Sequence, residues 1–71
     1  MKVFYHDNQS ILVVNPKGMM RKLYVPFRVL SIENGSWVYV TEVGTKKNDE
    51  LIYFINGNPY SHSLFQIRIK F

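Results

Sequence analysis

Short apolar runs, separated by turn residues, divide the chain into segments of strand length. The runs cover residues 3–6, 11–15, 19–24, 27–32, 37–43, 51–55 and 64–71. Clusters of Asn, Asp, Gly, Ser and Pro stand between them, as is typical of β-strands joined by tight turns. The pattern predicts an all-β protein without an α-helix, in which residues 60–63 form one turn of 3₁₀ helix and residues 44–50 form a polar loop.

The last run has the most regular alternation of apolar and polar side chains. The apolar set is Phe65, Ile67, Ile69 and Phe71, and the polar set is Gln66, Arg68 and Lys70. Successive side chains of a strand point to opposite faces, so this alternation predicts a strand with one buried face. The two cations are then expected on the outward face.

Composition supports the all-β prediction. The chain has 71 residues with no alanine, the best helix former, and it contains 11 aromatic, eight valine and six isoleucine residues. This length predicts one domain spanning residues 1–71. No apolar run approaches the roughly 20 residues that a transmembrane helix needs, so no membrane contact is expected.

Many short strands in a small chain predict a strongly bent barrel of five to six strands, because closure removes exposed sheet edges. The rhythm from Pro26 to Val43, with an Asn34-Gly35 hairpin and a late short turn before a final strand, resembles a small SH3-type barrel. An OB-like barrel is the alternative, although that fold usually has a longer chain and a helix. The resemblance implies a shape and no functional residues.

The central hairpin is the most informative segment. Asn34-Gly35 between apolar strands predicts a two-residue type I′ turn, which would place Trp37 opposite Ile32 and Tyr39 opposite Leu30. Alternation then divides the hairpin into two faces. The compact face suits a narrow interior and contains Phe27, Val29, Val38 and Val40. Both faces are apolar; if the compact face is the core, the outer face contains Arg28, Leu30, Ile32, Trp37 and Tyr39.

Three interpretations of this outer face remain open. It could stack unpaired bases, with Arg28 adding charge or a cation–π contact. It could be a protein interface or homodimer seam, for which Trp, Tyr and Arg are typical anchors. It could also be covered by the N-terminal hairpin and have no binding role.

The charge balance is moderately basic. Nine Lys and Arg residues against five Asp and Glu residues give a net charge of +4. Such a surface attracts polyanions, although isolated cations are also ordinary solvated or edge residues. The predicted function is therefore a non-enzymatic module that contacts nucleic acid, with protein interaction or homodimerisation through the Trp37/Tyr39 face as the alternative. The candidate binding residues are Arg28, Trp37, Tyr39, Lys46, Lys47, Arg68 and Lys70.

Few residues suggest catalytic or metal chemistry. The chain has no cysteine, and its only histidines are His6 and His62. Ser61-His62-Ser63 places candidate groups side by side, but adjacent residues of an extended segment point apart. Neither a phosphate-binding glycine loop nor a locally paired carboxylate set occurs. We therefore expect no enzyme activity, no metal and no cofactor. The first residues do not have the pattern of a signal peptide, so a cytoplasmic location is expected.

Overall fold

The structure is a computed structural model that describes residues 1–71. It contains nine short strands: β1 (Lys2–His6), β2 (Ser10–Val14), β3 (Met20–Tyr24), β4 (Phe27–Ser31), β5 (Trp37–Val40), β6 (Glu42–Thr45), β7 (Leu51–Ile55), β8 (Asn58–Ser61) and β9 (Phe65–Gln66). One 3₁₀ helix, His62–Leu64, precedes β9. The all-β prediction is confirmed. The fold has no helix of the length and apolarity that crossing a membrane requires.

The strands form three separate antiparallel sheets of three strands each. Their orders are β1-β2-β3 in the first sheet, β5-β4-β9 in the second and β6-β7-β8 in the third. No closed barrel is found, so the predicted barrel of five to six strands is not confirmed, in either its SH3-like or its OB-like form. The ladders are interrupted between β3 and β4, where Pro26 has no backbone N–H to donate, and between β5 and β6.

The interruption at Thr41 divides the predicted run 37–43 between two sheets. Both the backbone N–H and the hydroxyl of Thr41 donate to the carbonyl oxygen of Phe54, at 2.9 and 3.1 Å. β5 on one side pairs with β4, whereas β6 on the other side pairs with β7. Strands that bend in this way can pass from one packed sheet to the next. The sequence pattern did not reveal the bend because apolar residues continue on both sides of it.

The predicted register of the central hairpin is wrong by two positions. Leu30 pairs with Trp37, and Arg28 pairs with Tyr39. The loop has four residues rather than two, since Ser31 N–H donates to Ser36 O and Gly35 N–H donates to Ser31 O, both at 2.8 Å. Gly35 alone adopts a positive φ of 71°, while the Asn34 side chain accepts hydrogen bonds from Ser36. A shift of two residues leaves each side chain on its predicted face.

The two-residue turn of type I′ lies instead at Asn56-Gly57. These residues have φ values of 53° and 80°, and Ile55 pairs directly with Asn58 across the turn. Pro59 follows on β8, which is an edge strand, so its missing N–H leaves no ladder hydrogen bond unmade. Positive φ at two successive positions suits Asn and Gly because their steric cost there is small.

The core lies between the three sheets. It is a cluster of nine buried residues: Ile11, Val13, Phe27, Val29, Val40, Val43, Leu51, Tyr53 and Ile55. The rings of Phe27 and Tyr53 pack edge to face with centroids 5.8 Å apart. The compact face of the central hairpin contributes to this cluster, as predicted, and Val38 packs against it half-buried. The opposite face of the hairpin is therefore directed outward.

The final strand is shorter than predicted. Only Phe65 and Gln66 pair with β4, and residues 67–71, here termed the C-terminal segment, lie outside the ladder. Burial alternates as far as Lys70, since Ile67 and Ile69 pack against the core whereas Arg68 and Lys70 are exposed; Phe71, predicted on the buried face, is exposed. Continuing the register would place Arg68 directly opposite Arg28. Like charges that face each other across a ladder are destabilising, and this pair is not formed because the ladder ends at Gln66.

Burial of Tyr53 makes the stability of the fold sensitive to alkaline pH. Only 2% of its surface is exposed, and this burial raises its pKa from 10.0 to about 12. The folded state therefore holds the phenol proton more tightly than the unfolded chain. Its contribution to stability is complete below pH 10 and is lost as the pH rises towards 12, by at most about 3 kcal/mol.

We expect the urea midpoint of the wild-type protein to fall over this alkaline range. Tyr53→Phe removes the ionisable hydroxyl and should flatten that fall. Tyr39→Phe makes the same chemical change at an exposed position and should keep the wild-type profile. Parallel profiles for Tyr53→Phe and the wild type would contradict this explanation of the alkaline instability.

Candidate functional site

The outer face of the second sheet presents three of the predicted site residues together. Arg28 on β4 lies directly opposite Tyr39 on β5, and Trp37 is the diagonal neighbour of Arg28. Trp37 is 43% exposed and Tyr39 is 58% exposed. Side chains on neighbouring strands of one face are close enough to interact. The N-terminal hairpin leaves these rings accessible, so one of the three interpretations of this face, the covered surface, is excluded.

Arg28 and Trp37 form a stacked pair. The guanidinium carbon of Arg28 lies 4.5 Å from the centroid of the Trp37 ring. A cation at this distance is attracted by the electron-rich face of the indole, by about 0.5–1 kcal/mol at an exposed site. The contact restrains a long side chain that would otherwise sample many rotamers. It holds one cationic, hydrogen-bonding group at a defined place on the sheet.

A basic depression adjoins this stacked pair. Four cationic side chains line it, from β3, β4 and the C-terminal segment: Arg21, Arg28, Arg68 and Lys70. Five apolar residues complete the lining, and no carboxylate is among the lining residues. Like charges gathered over an apolar surface focus a positive potential towards solvent. The depression therefore suits a ligand with several negative charges.

Arg21 is a lining residue that the sequence analysis did not select. Its guanidinium Nη1 donates a hydrogen bond to the carbonyl oxygen of Lys70, 49 residues away in the chain. This contact ties the edge strand β3 to the C-terminal segment. No local pattern reveals such a contact, because it depends on how the C-terminal segment packs against the first sheet.

The positive charge of the depression has no partner within the protein. The only ion pair in the structure joins Lys46 Nζ to Glu50 Oε1 at 3.7 Å, in the loop between β6 and β7. None of the four cations of the depression takes part in an ion pair, although Arg68 Nε donates to the neutral Gln66 Oε1 at 3.4 Å. Their charges therefore remain available to an external anion.

Two predicted site residues are not brought to this surface. Lys46 and Lys47 lie in the β6–β7 loop, and neither lines the basic depression. Lys46 is also paired with Glu50, so its charge is partly offset. The structure therefore gathers Arg28, Trp37, Tyr39, Arg68 and Lys70 of the predicted set and leaves the two loop lysines apart.

The two histidines line a different depression. His6 and His62 line it together with Asp49 and Glu50, although they come from opposite ends of the chain. No three His, Asp or Glu side chains are grouped closely enough to hold a metal ion. The hydroxyl of Ser61 donates to Glu50 Oε2 at 3.0 Å. Glu50 is therefore the carboxylate near the Ser61-His62-Ser63 segment, and it accepts a hydrogen bond from a serine and not from His62.

A second exposed aromatic surface lies on the outer face of the first sheet. Phe4 is 67% exposed, Tyr5 is 58% exposed and Tyr24 is 65% exposed. A β-bulge between Val3 and Tyr5 makes Phe4 an extra residue in β1, which the alternating pattern did not predict. Lys22 Nζ lies 5.3 Å from the Tyr24 ring centroid, in a second cation–π contact.

Asp7, in the turn between β1 and β2, carries a locally stabilised negative charge. Its Oδ1 accepts hydrogen bonds from the Gln9 backbone N–H and the Ser10 hydroxyl, both at 2.9 Å. These two hydrogen bonds hold the pKa of Asp7 below its ordinary value, and the bond from Gln9 has the larger effect. The carboxylate thus organises its own turn and does not line the basic depression.

Comparison of the chain with protein-family models, curated proteins and solved structures gives no match.

Proposed function

We propose that the protein is a non-enzymatic module that binds nucleic acid through the basic depression and the adjoining Arg28–Trp37–Tyr39 face. The observation that carries this proposal is the group of four cations without an ion-pair partner beside the exposed Trp37 and Tyr39 rings, with Arg28 over Trp37. Phosphates supply most of the sequence-independent affinity for basic proteins, and bases stack on exposed rings. A cytoplasmic location stays a prediction.

The cations of the depression and the exposed aromatic rings suit different parts of a nucleotide. Arg21, Arg68 and Lys70 surround the depression and are suited to phosphate oxygens. Trp37 and Tyr39 are suited to the apolar faces of bases. A ligand with negative charges alone would use the first set and leave the aromatic residues unused. Nucleic acid uses both sets, which favours it over other polyanions.

We expect a labelled oligonucleotide of about 10 nucleotides to bind with strong salt dependence. With three to four phosphate contacts, affinity should fall about 20- to 50-fold between about 50 and about 200 mM salt. Fluorescence anisotropy gives this affinity, and the emission of Trp37, the only tryptophan, reports contact with the rings. Polyglutamate should compete poorly, because it offers charge without bases.

Two results would contradict the proposal. One is the absence of binding at the lower salt concentration. The other is competition by polyglutamate that is as effective as competition by unlabelled oligonucleotide. That result would show that the surface binds anions in general and does not prefer nucleic acid.

Self-association is a second candidate function. The alternative predicted from the sequence placed it on the Trp37/Tyr39 face, but a symmetric contact there would bring the cations beside that face close to their copies. The exposed Phe4, Tyr5 and Tyr24 side chains favour the outer face of the first sheet instead, since monomers rarely expose large apolar patches. Sedimentation over a concentration series tests this candidate. A dimer that Phe4→Ser dissociates would support it, whereas a monomer at all concentrations would contradict it.

A further inference from the structure

We infer, resting on the proposed function, that the nucleic acid bound here is single-stranded and that one unpaired base stacks on the guanidinium of Arg28. Arg28, rather than the indole alone, then provides the recognition surface of the site.

Because Arg28 lies over Trp37, a ligand that approaches this side of the indole meets the guanidinium group first. Its guanidinium carbon lies 4.5 Å from the Trp37 ring centroid, so it covers one face of the indole. Arg28 is itself an exposed residue, so its side chain remains accessible to a ligand. Guanidinium planes and aromatic rings both stack unpaired bases. A base arriving at this face would add a third layer to the existing pair.

Phosphate-binding groups lie in the same depression as the Arg28 guanidinium. The β4–β9 ladder ends at Gln66, and the chain continues from there into the C-terminal segment that carries Arg68 and Lys70. Arg68 and Lys70 also line the depression that Arg28 borders. A base on Arg28 therefore leaves the phosphate of the same or the next nucleotide within reach of these cations.

A duplex cannot use this arrangement in the same way. Its bases are stacked on their neighbours, and exposing one face requires the base to be extruded at an energetic cost. A duplex would therefore contact the depression through its phosphates without placing a base on Arg28.

The test compares Arg28→Lys with Arg68→Lys, which make the same chemical change at two positions. Each variant keeps its positive charge and loses the planar guanidinium. We expect Arg28→Lys to weaken binding of a single-stranded DNA of about 10 nucleotides by about 10-fold, with an unchanged salt slope. Arg68→Lys should change it by no more than about twofold. The wild-type protein should bind the matched duplex more weakly than the single strand.

The outcomes separate this inference from the proposed function. Equal affinity for single strand and duplex, with both variants behaving alike, would overturn the inference while nucleic-acid binding remained. Failure of the wild-type protein to bind either DNA would overturn both. Urea midpoints of the two variants equal to that of the wild type establish that the comparison concerns binding and not folding.

Discussion

Phe27→Ala is expected to leave most of the protein unfolded at 25 °C. Phe27 is only 6% exposed and packs edge to face against Tyr53 in the centre of the core. Truncating a buried phenylalanine costs about 3–5 kcal/mol, through lost burial and the cavity that remains. A core of this size supplies about 3–5 kcal/mol in total, so the loss removes nearly all of the stability. Circular dichroism and urea unfolding measure the effect.

Phe4→Ala is the matched control for this prediction. The substitution is chemically the same, but Phe4 is 67% exposed on the outer face of the first sheet. Its effect on the free energy of unfolding should lie within about 0.5 kcal/mol of zero. Equal urea midpoints for the two variants would contradict the placement of the core between the three sheets.

Removing both cations of the C-terminal segment is expected to have the largest effect on binding. The variant Arg68→Gln/Lys70→Gln keeps two cations in the depression, Arg21 and Arg28. Each solvent-exposed contact to a phosphate contributes about 1 kcal/mol, so affinity for a single strand should fall about 30-fold. The slope of log affinity against log salt should become shallower by about 1.4.

The control removes two charges from a different surface. Lys46→Gln/Lys47→Gln lowers the net charge by the same amount, but these residues lie in the β6–β7 loop outside the depression. Its affinity should stay within about threefold of wild type, because screening limits the effect of distant charges. Similar losses for both double variants would show that net charge, and not this surface, governs binding.

The alternation of side chains was the part of the fold that the sequence predicted best. The inward set at Phe27, Val29 and Val40 is buried, and Trp37 is exposed on the opposite face, as expected. Alternation survives an error in the register because a shift of two residues preserves the faces. Most strand positions were predicted for the same reason, but β8 was missed because its residues read as a turn and a 3₁₀ helix, and the last strand ends at Gln66 and not at Phe71.

Sheet assembly was not predictable in this way. The bend at Thr41 and the end of the β4–β9 ladder depend on contacts between distant segments. The basic depression has the same origin, because the hydrogen bond from Arg21 to Lys70 joins residues with no local relation in the chain. Local signals predicted which side chains face outward, but they could not predict which outward side chains become neighbours.

The location of binding is tested most directly by a two-dimensional ¹H–¹⁵N titration of the wild-type protein with a single-stranded oligonucleotide. We predict progressive shifts of the Trp37 indole N–H and of the backbone amides of Arg28, Arg68 and Lys70. The amides of Lys46 and Lys47 should stay unchanged in the same spectra. Shifts confined to the β6–β7 loop, or to the outer face of the first sheet, would contradict the proposed binding surface.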